Sequence, residues 1–260
     1  MDVKGKNVIY SGGFGGIGLA CVREFLKHGA KYVTIFDLEE NDEAMLALRK
    51  SYPNATIDFI PVDMRKKASI TMAFKSAVEK MEHFDVLVNG CAIMMDSQVE
   101  LTIEINLLGL IHSTLAALPY MDKSSGGHGG VIVNISSVAG LETPGLFAIY
   151  TASKHGVTAF TRCMGDQIYY DRFGVSFITI CPGLTETSLT KDLHSRVTFQ
   201  FNEEVAKIFL HSKQQSAELC AENMIKVIEI GKNGGVYLLD LGNIQEITYP
   251  QLWEPTFEAH

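Results

Sequence analysis

The sequence predicts a doubly wound α/β fold: a single domain over residues 1–260, with a parallel sheet of about seven strands between two layers of helices. Three observations carry that prediction. Short runs rich in Val and Ile alternate with helical patterns along the whole chain. The runs are continuously apolar, as strands covered on both faces read, where a half-exposed strand would alternate. A glycine turn, SGGFGGIG at 11–18, stands between the first run and the first helical pattern. A chain of 260 residues suffices for one well-packed core of this kind.

The elements follow in order. NVIY (7–10) reads as the first strand, and Gly16 to about His28 as the first helix. YVTIFD (32–37) is a strand and the polar segment near 41–50 a helix. ATIDFIPV (55–62) leads to a helix at about 68–81, and FDVLVNG (84–90) to a long apolar helix near 98–120. VIVNIS (131–136) precedes a helix near 150–171, and VSFITIC (175–181) follows it. A helix near 216–230 and a last strand, GVYLLDL (235–241), complete the series. This succession implies parallel pairing through right-handed crossovers. The stretch from about 185 to 215 has no clear period. It reads as a substrate loop, because long insertions beyond a strand's carboxyl end carry function in such folds. Residues 243–260 read as a C-terminal tail.

Composition narrows the function. A formal charge of −8 disfavours nucleic acid and anionic membrane surfaces as partners. The N-terminus, MDVKGKNVIYSGG, is too weakly apolar for a signal peptide, and no apolar run approaches the ~20 residues that span a bilayer. Five scattered cysteines without a CxxC pattern read as free thiols in a reducing, cytoplasmic setting. No cluster of His and Cys suggests a metal.

The glycine turn carries the first chemistry. Glycines let backbone approach a pyrophosphate closely, and the following helix presents its positive end to it. Gly13, Gly15 and Gly18 satisfy GxGxxG, with Gly12, Gly16 and Ile17 in the same turn. Asp37 ends the second strand about 20 residues on, where a carboxylate accepts from both ribose hydroxyls and repels a 2′-phosphate. DLEEND follows it with no arginine, so NAD is favoured over NADP. Asp63, ending the third strand, is a candidate for the adenine edge or an ordinary turn aspartate.

The second piece of chemistry is Tyr150 and Lys154, four residues apart on one helical face. An isolated tyrosine titrates near ~10 and is protonated at neutral pH. A neighbouring ammonium, together with an oxidised nicotinamide, favours the phenolate and brings the group toward use as a base.

SGGFGGIG, NGCA (89–92), Asn106 in INLLG, NISSVAG (134–140), YTASK (150–154) and CPGLTET (181–187) stand in the order and spacing of one family. In them the chain resembles the short-chain dehydrogenase/reductase family end to end, with a Rossmann-type fold. The closing NGGVYLLDLGNIQEI and the INLLGL segment look like the insect alcohol dehydrogenase branch, and YTASKHGVTAFTR is also similar to hydroxyprostaglandin dehydrogenase.

The resemblance implies roles residue by residue. Tyr150 is the general base, and Lys154 supports it and binds the nicotinamide ribose. Ser137, chosen over Ser136 by its spacing from the tyrosine, binds the substrate oxygen. Asn106 shapes its helix and helps hold a water of the proton relay. Gly12, Gly16 and Gly18 match TGxxxGxG, a second register for the glycine turn, with Ser11 in place of its threonine. Asn89 and Gly90 match the first half of an NNAG-like turn that here ends in Ala92 where glycine is usual. Pro182 and Gly183 lie against the nicotinamide, with Thr185 in the same turn and Thr187 on the carboxamide.

The implied activity is NAD-dependent interconversion of an apolar alcohol (secondary, terpenoid, steroid or fatty) and its carbonyl. Met94, Met95, Leu141, Phe147, Leu189, Phe199, Phe201 and Phe209 are candidate walls. The alternative is a catalytically weak NAD- or lipid-binding protein of the fat-body or developmental kind. The family relation also implies a homodimer or homotetramer through the helices near 98–120 and 150–171, with the tail over a neighbouring site.

Overall fold

Branched apolar residues pair side by side where the sequence places them. In this computed structural model, which describes residues 1–209 and 211–254, they form β1 (Asn7–Ser11), β2 (Tyr32–Asp37), β3 (Thr56–Pro61) and β4 (Val86–Asn89). β5 (Gly130–Ile135), β6 (Val175–Pro182) and β7 (Val236–Asp240) continue the parallel sheet. An eighth strand, β8 (Asn243–Glu246), pairs antiparallel with β7, so the order is β3-β2-β1-β4-β5-β6-β7-β8. The expected seven strands are therefore eight, and the first residues of the expected tail belong to the sheet. The physical reason is a two-residue hairpin. Leu241 and Gly242 both take positive φ (47° and 85°), which matches the strand twist. The expected tail's last residues, 255–260, lie outside the described residues.

The helices are α1 (Gly16–Lys27), α2 (Asp42–Ser51), α3 (Lys67–Met81), α4 (Val99–Ile103), α5 (Leu110–Met121), α6 (Ala148–Met164), α7 (Gln167–Phe173), α8 (Glu203–Phe209) and α9 (Ala217–Ile230). The period-two alternation of side chains sorts the strands' residues between two faces. Val8, Tyr10, Val86, Val88, Val131 and Val133 pack with α1 and α9. Ile9, Leu87, Ile132 and Phe177 pack on the other face with α3 and α5. Both faces are covered, which is why the strands read as unbroken apolar runs.

Three helical expectations need correction. The helix near 98–120 is continuous from Val99 to Met121, but six residues, Glu104–Gly109, form π-helical turns between α4 and α5. At 23 residues it is long and apolar enough to cross a bilayer, contrary to the sequence reading, yet in this fold it packs on α3, α6 and β4. The helix near 150–171 starts at Ala148 and breaks at Gly165–Asp166, where Asp166 caps α7 by accepting from the Ile168 N–H (2.9 Å). The 185–215 loop contains α8. Its stem is closed by a parallel bridge of Thr185 to Gln215, whose buried side chain donates to the Leu239 carbonyl (2.7 Å).

Candidate active site

The chain reverses its winding direction between β1 and β4, and doubly wound sheets bind ligands beside such a point. A cavity of about 210 Å³ opens there, at the carboxyl ends of β1, β4, β5 and β6. One wall is the glycine turn: Gly12, Gly15, Gly16, Ile17 and Gly18. Facing it are Ser137, Tyr150 and Lys154, and Pro182, Gly183, Thr185 and Thr187 close a third side.

Crowding bears on both glycine registers. Gly12 has φ of +77°, and a Cβ there would stand 2.7 Å from the Cys91 Cα. A Cβ on Gly18 would overlap the Gly12 carbonyl oxygen, whereas one on Gly15 meets only that oxygen, at 3.3 Å. The tight positions are thus Gly12, Gly16 (against Thr187) and Gly18 of one register together with Gly13 of the other, which a Cβ would bring within 2.8 Å of the buried Ile35, and Gly15 is the one that crowding demands least. No side chain caps α1, so its first N–H groups face the cavity. Asp37 stands at the turn's edge and accepts from the Phe14 N–H (3.0 Å) and from its neighbour Leu38 (2.8 Å).

Two expected cofactor contacts are turned elsewhere. Arg65 grips both carboxylate oxygens of Asp63 (2.8 and 2.7 Å), and Lys66 lies 3.3 Å away, holding that carboxyl well below its usual range. Its ion pairs explain its side chain without a ligand. Asn89 is 1% exposed and points into a buried polar network. It donates to Asn134 (2.9 Å) and Thr114 (3.1 Å) and accepts from Ser113 (2.6 Å), while Asn134 donates to Thr161 (2.9 Å) on α6. Asn89 ties β4, β5, α5 and α6 together, and only its neighbour Gly90 lines the cavity.

The two serines of NISSVAG part company in the same way. Ser136 is locked against α6, donating to the Lys154 carbonyl (2.9 Å) and meeting the Thr158 hydroxyl (2.8 Å). Ser137 caps the next turn through the Ala139 N–H (3.1 Å), and hydrogen bonding with it lowers the Tyr150 pKa. Asn106, on the π-helical turns, clamps the loop after β4. It exchanges two 2.8 Å bonds with the Ile93 backbone and donates to Ser153 (3.2 Å) on α6. It does not line the cavity.

Electrostatics show where the two groups stand without the cofactor. Burial pushes the Tyr150 phenol up to about 12, and Lys154 does not offset this. The Lys154 ammonium lies 5.7 Å from the Tyr150 ring centroid and donates to the Ile135 carbonyl (2.9 Å), while burial lowers it to about 8. In the protein alone, removal from water is the largest influence on both groups.

Among the candidate walls, Met94, Phe147 and Leu189 line the cavity, joined by Ala92, Ala139, Pro144, Leu184 and Leu193. Met95 and Leu141 do not. Phe199 and Phe201 stack on each other at the surface (5.5 Å), and the Phe209 side chain lies outside the described residues. Among the described residues no group of three or more His, Cys, Asp or Glu side chains is placed to hold a metal ion.

Sequence reasoning missed Asp96 altogether. It is buried behind the cavity and accepts from the Ile149 (2.8 Å) and Tyr150 (3.0 Å) N–H groups at the start of α6. A signal existed: PGLFAIY has no capping residue before the helix, so the cap had to come from elsewhere.

Comparison with known proteins agrees with this architecture. The short chain dehydrogenase family matches residues 6–198. Alcohol dehydrogenase 1 of Ceratitis capitata is 39% identical over 257 residues, 99% of this chain and 100% of that protein. Fat body protein 2 of Drosophila melanogaster is 38% identical over 254 residues, 98% of this chain and 99% of that protein. A short chain dehydrogenase/reductase from Burkholderia phymatum, solved in complex with NAD, is similar in fold: the TM-score is 0.77 at 19% identity, over 92% of this chain and 90% of that one. The chain belongs to the short chain dehydrogenase family, on the branch of the insect alcohol dehydrogenases.

Proposed function

We propose that the chain is an NAD-dependent alcohol dehydrogenase acting on an apolar alcohol (secondary, terpenoid, steroid or fatty) and its carbonyl. The observation that carries this reading is the single cavity that joins the uncapped start of α1 to Ser137, Tyr150 and Lys154. The glycine cradle, which side chains would fill, fits a dinucleotide. Gly12, Gly16 and Gly18 would hold its pyrophosphate, Asp37 its ribose hydroxyls, and Gly90, Pro182, Gly183, Thr185 and Thr187 its nicotinamide half. Bound NAD supplies hydride acceptance and a positive charge.

The chain supplies the proton chemistry and the geometry. Ser137 orients the substrate hydroxyl, and Tyr150 Oη takes its proton. Lys154 stabilises the resulting phenolate, and Asn106 keeps the loop after β4 and α6 in register, with a water of the proton path beside them. Met94, Phe147, Leu189 and Leu193 favour an apolar substrate. Five free cysteines, three of them buried, support a cytoplasmic setting.

Absorbance of NADH on mixing with NAD and a panel of secondary, terpenoid, steroid and fatty alcohols tests the proposal. Signal should appear with NAD and be weaker with NADP, and Asp37→Ala should narrow that preference by about 10-fold, equivalent to ~1.4 kcal/mol. A preference for NADP would sink the cofactor assignment. The similarity to fat body protein 2 keeps a second reading alive, a binding protein without turnover. Demonstrated NAD binding with no NADH from any alcohol would select it.

The helix Val99–Met121 leaves Leu108 and Leu115 exposed, which supports assembly across that helix. Sedimentation should show a dimer or tetramer, and a lone 28.6 kDa species at micromolar concentration contradicts it.

A further inference from the structure

The helix that carries Tyr150 is capped from a distance by two different loops. Phe147 occupies the cap position of α6 and offers no side-chain acceptor. Asp96, on the loop after β4, takes the Ile149 and Tyr150 N–H groups, and Thr198, on the 185–215 loop, takes that of Ala148 (2.8 Å). The Thr198 hydroxyl also donates to Asp96 Oδ2 (2.7 Å), and the Thr198 N–H donates to the Leu146 carbonyl (3.0 Å). The Asp96 N–H donates to the Arg196 carbonyl (3.3 Å). Three segments therefore close on the first turn of α6, with the Asp96 carboxylate at the positive end of the helix dipole. The same loop packs its Leu193 and Val197 against Tyr150, Phe147 and Met94, and its Leu189 and Leu193 line the cavity. The docked loop thus both walls the cavity and completes the cap.

We propose that Asp96 and Thr198 are positioning residues that couple docking of the 185–215 loop to the placement of Tyr150. This rests on the reading of Tyr150 as the base. Substrate binding energy spent on docking the loop then appears in kcat, because the base reaches its working position only when the cap is whole. Tyr150 faces Lys154 on its own helix, Ser137 after β5, Cys181 on β6 and Asp96 after β4. Asp96 carries charge that itself raises the Tyr150 pKa, so changing it mixes two effects. Thr198→Val removes the hydroxyl at constant shape and charge and isolates position.

The test uses the full chain with NAD and the best alcohol of the panel. Thr198→Val is expected to lower kcat about 10-fold, within the range that small misplacement of a reacting group produces. NADH affinity should hold. The acid limb of the kcat profile should move to higher pH, because Tyr150 drifts from the Ser137 hydroxyl that lowers its pKa. Thr198→Ser restores both. In parallel, hydrogen exchange at 148–151 and 193–199 should quicken together in Thr198→Val and recover in Thr198→Ser. Unchanged kcat and acid limb with loosening confined to 193–199, or no recovery in Thr198→Ser, overturns the coupling. Should the wild type oxidise no alcohol, the functional reading fails by itself. The exchange arm then decides alone: joint loosening upholds the coupling and separate loosening refutes it.

Discussion

Tyr150→Phe is expected to lower kcat by about 10³, in the middle of the 10²–10⁴ range for a positioned acid–base group. The substitution removes one oxygen from a ring that packs among Phe147, Leu193 and Val197, so the fold should be untouched. NAD affinity should be close to wild type, because the glycine cradle and Asp37 stand on other elements. The tyrosine in the protein alone sits at about 12, held there by burial. The working base must therefore be brought down when the site is filled, and the wild-type rate should climb with pH along its acid limb. Turnover in Tyr150→Phe equal to wild type would remove the base assignment, and with it the proposed mechanism.

Lys154→Met is expected to inactivate the protein by about 10² or more and yet to stabilise it. Lys154 is 2% exposed and its ammonium is lowered from 10.5 to about 8 by burial. Below about pH 8 both folded and unfolded chains carry the proton, and the folded state bears the full burial penalty, on the order of 3 kcal/mol. Between about 8 and 10.5 the unfolded chain binds more protons, so the folded state gains stability as pH rises. Methionine fills the same channel without charge and loses the bond to the Ile135 carbonyl, a cost of about 1 kcal/mol. The balance at pH 7 is a gain of roughly 1–2 kcal/mol, at about 2–4 °C of Tm per kcal/mol.

Buried Cys181 and Cys220, whose thiols are raised from 9.0, erode stability from about pH 9 upward in both proteins. The informative quantity is therefore the difference in Tm between variant and wild type. It should be positive at pH 7 and shrink toward pH 10. A variant less stable than wild type at pH 7, or a difference constant across pH, contradicts the account. A residue that destabilises its own fold and is essential for turnover is how perturbed groups at active sites behave.

Most of the fold was legible because its signals are local. Unbroken apolar runs mark strands covered on both faces, and the turn 11–18 has glycines where β1 must pass into α1 under the crowding of Cys91 and Thr187. β8 was missed because NIQE is polar and short, as an edge strand with one partner is free to be. The walls of the cavity were half legible. An apolar residue on an aperiodic loop has equal chemical reason to face the cavity, as Leu189 does, or to stack outside, as Phe199 and Phe201 do.

The pairing of Tyr150 with Lys154, the parallel succession of strands and the carboxylate that ends β2 are consequences of backbone periodicity, which spacing alone enforces. Asn89 turning inward, Asp63 being taken by Arg65, and the cap of α6 by Asp96 and Thr198 follow no such rule. The last joins residues 54 and 102 positions apart. Contacts across such separations exist only once packing has placed two loops and a helix end together, and no pattern along the chain encodes the outcome of that packing.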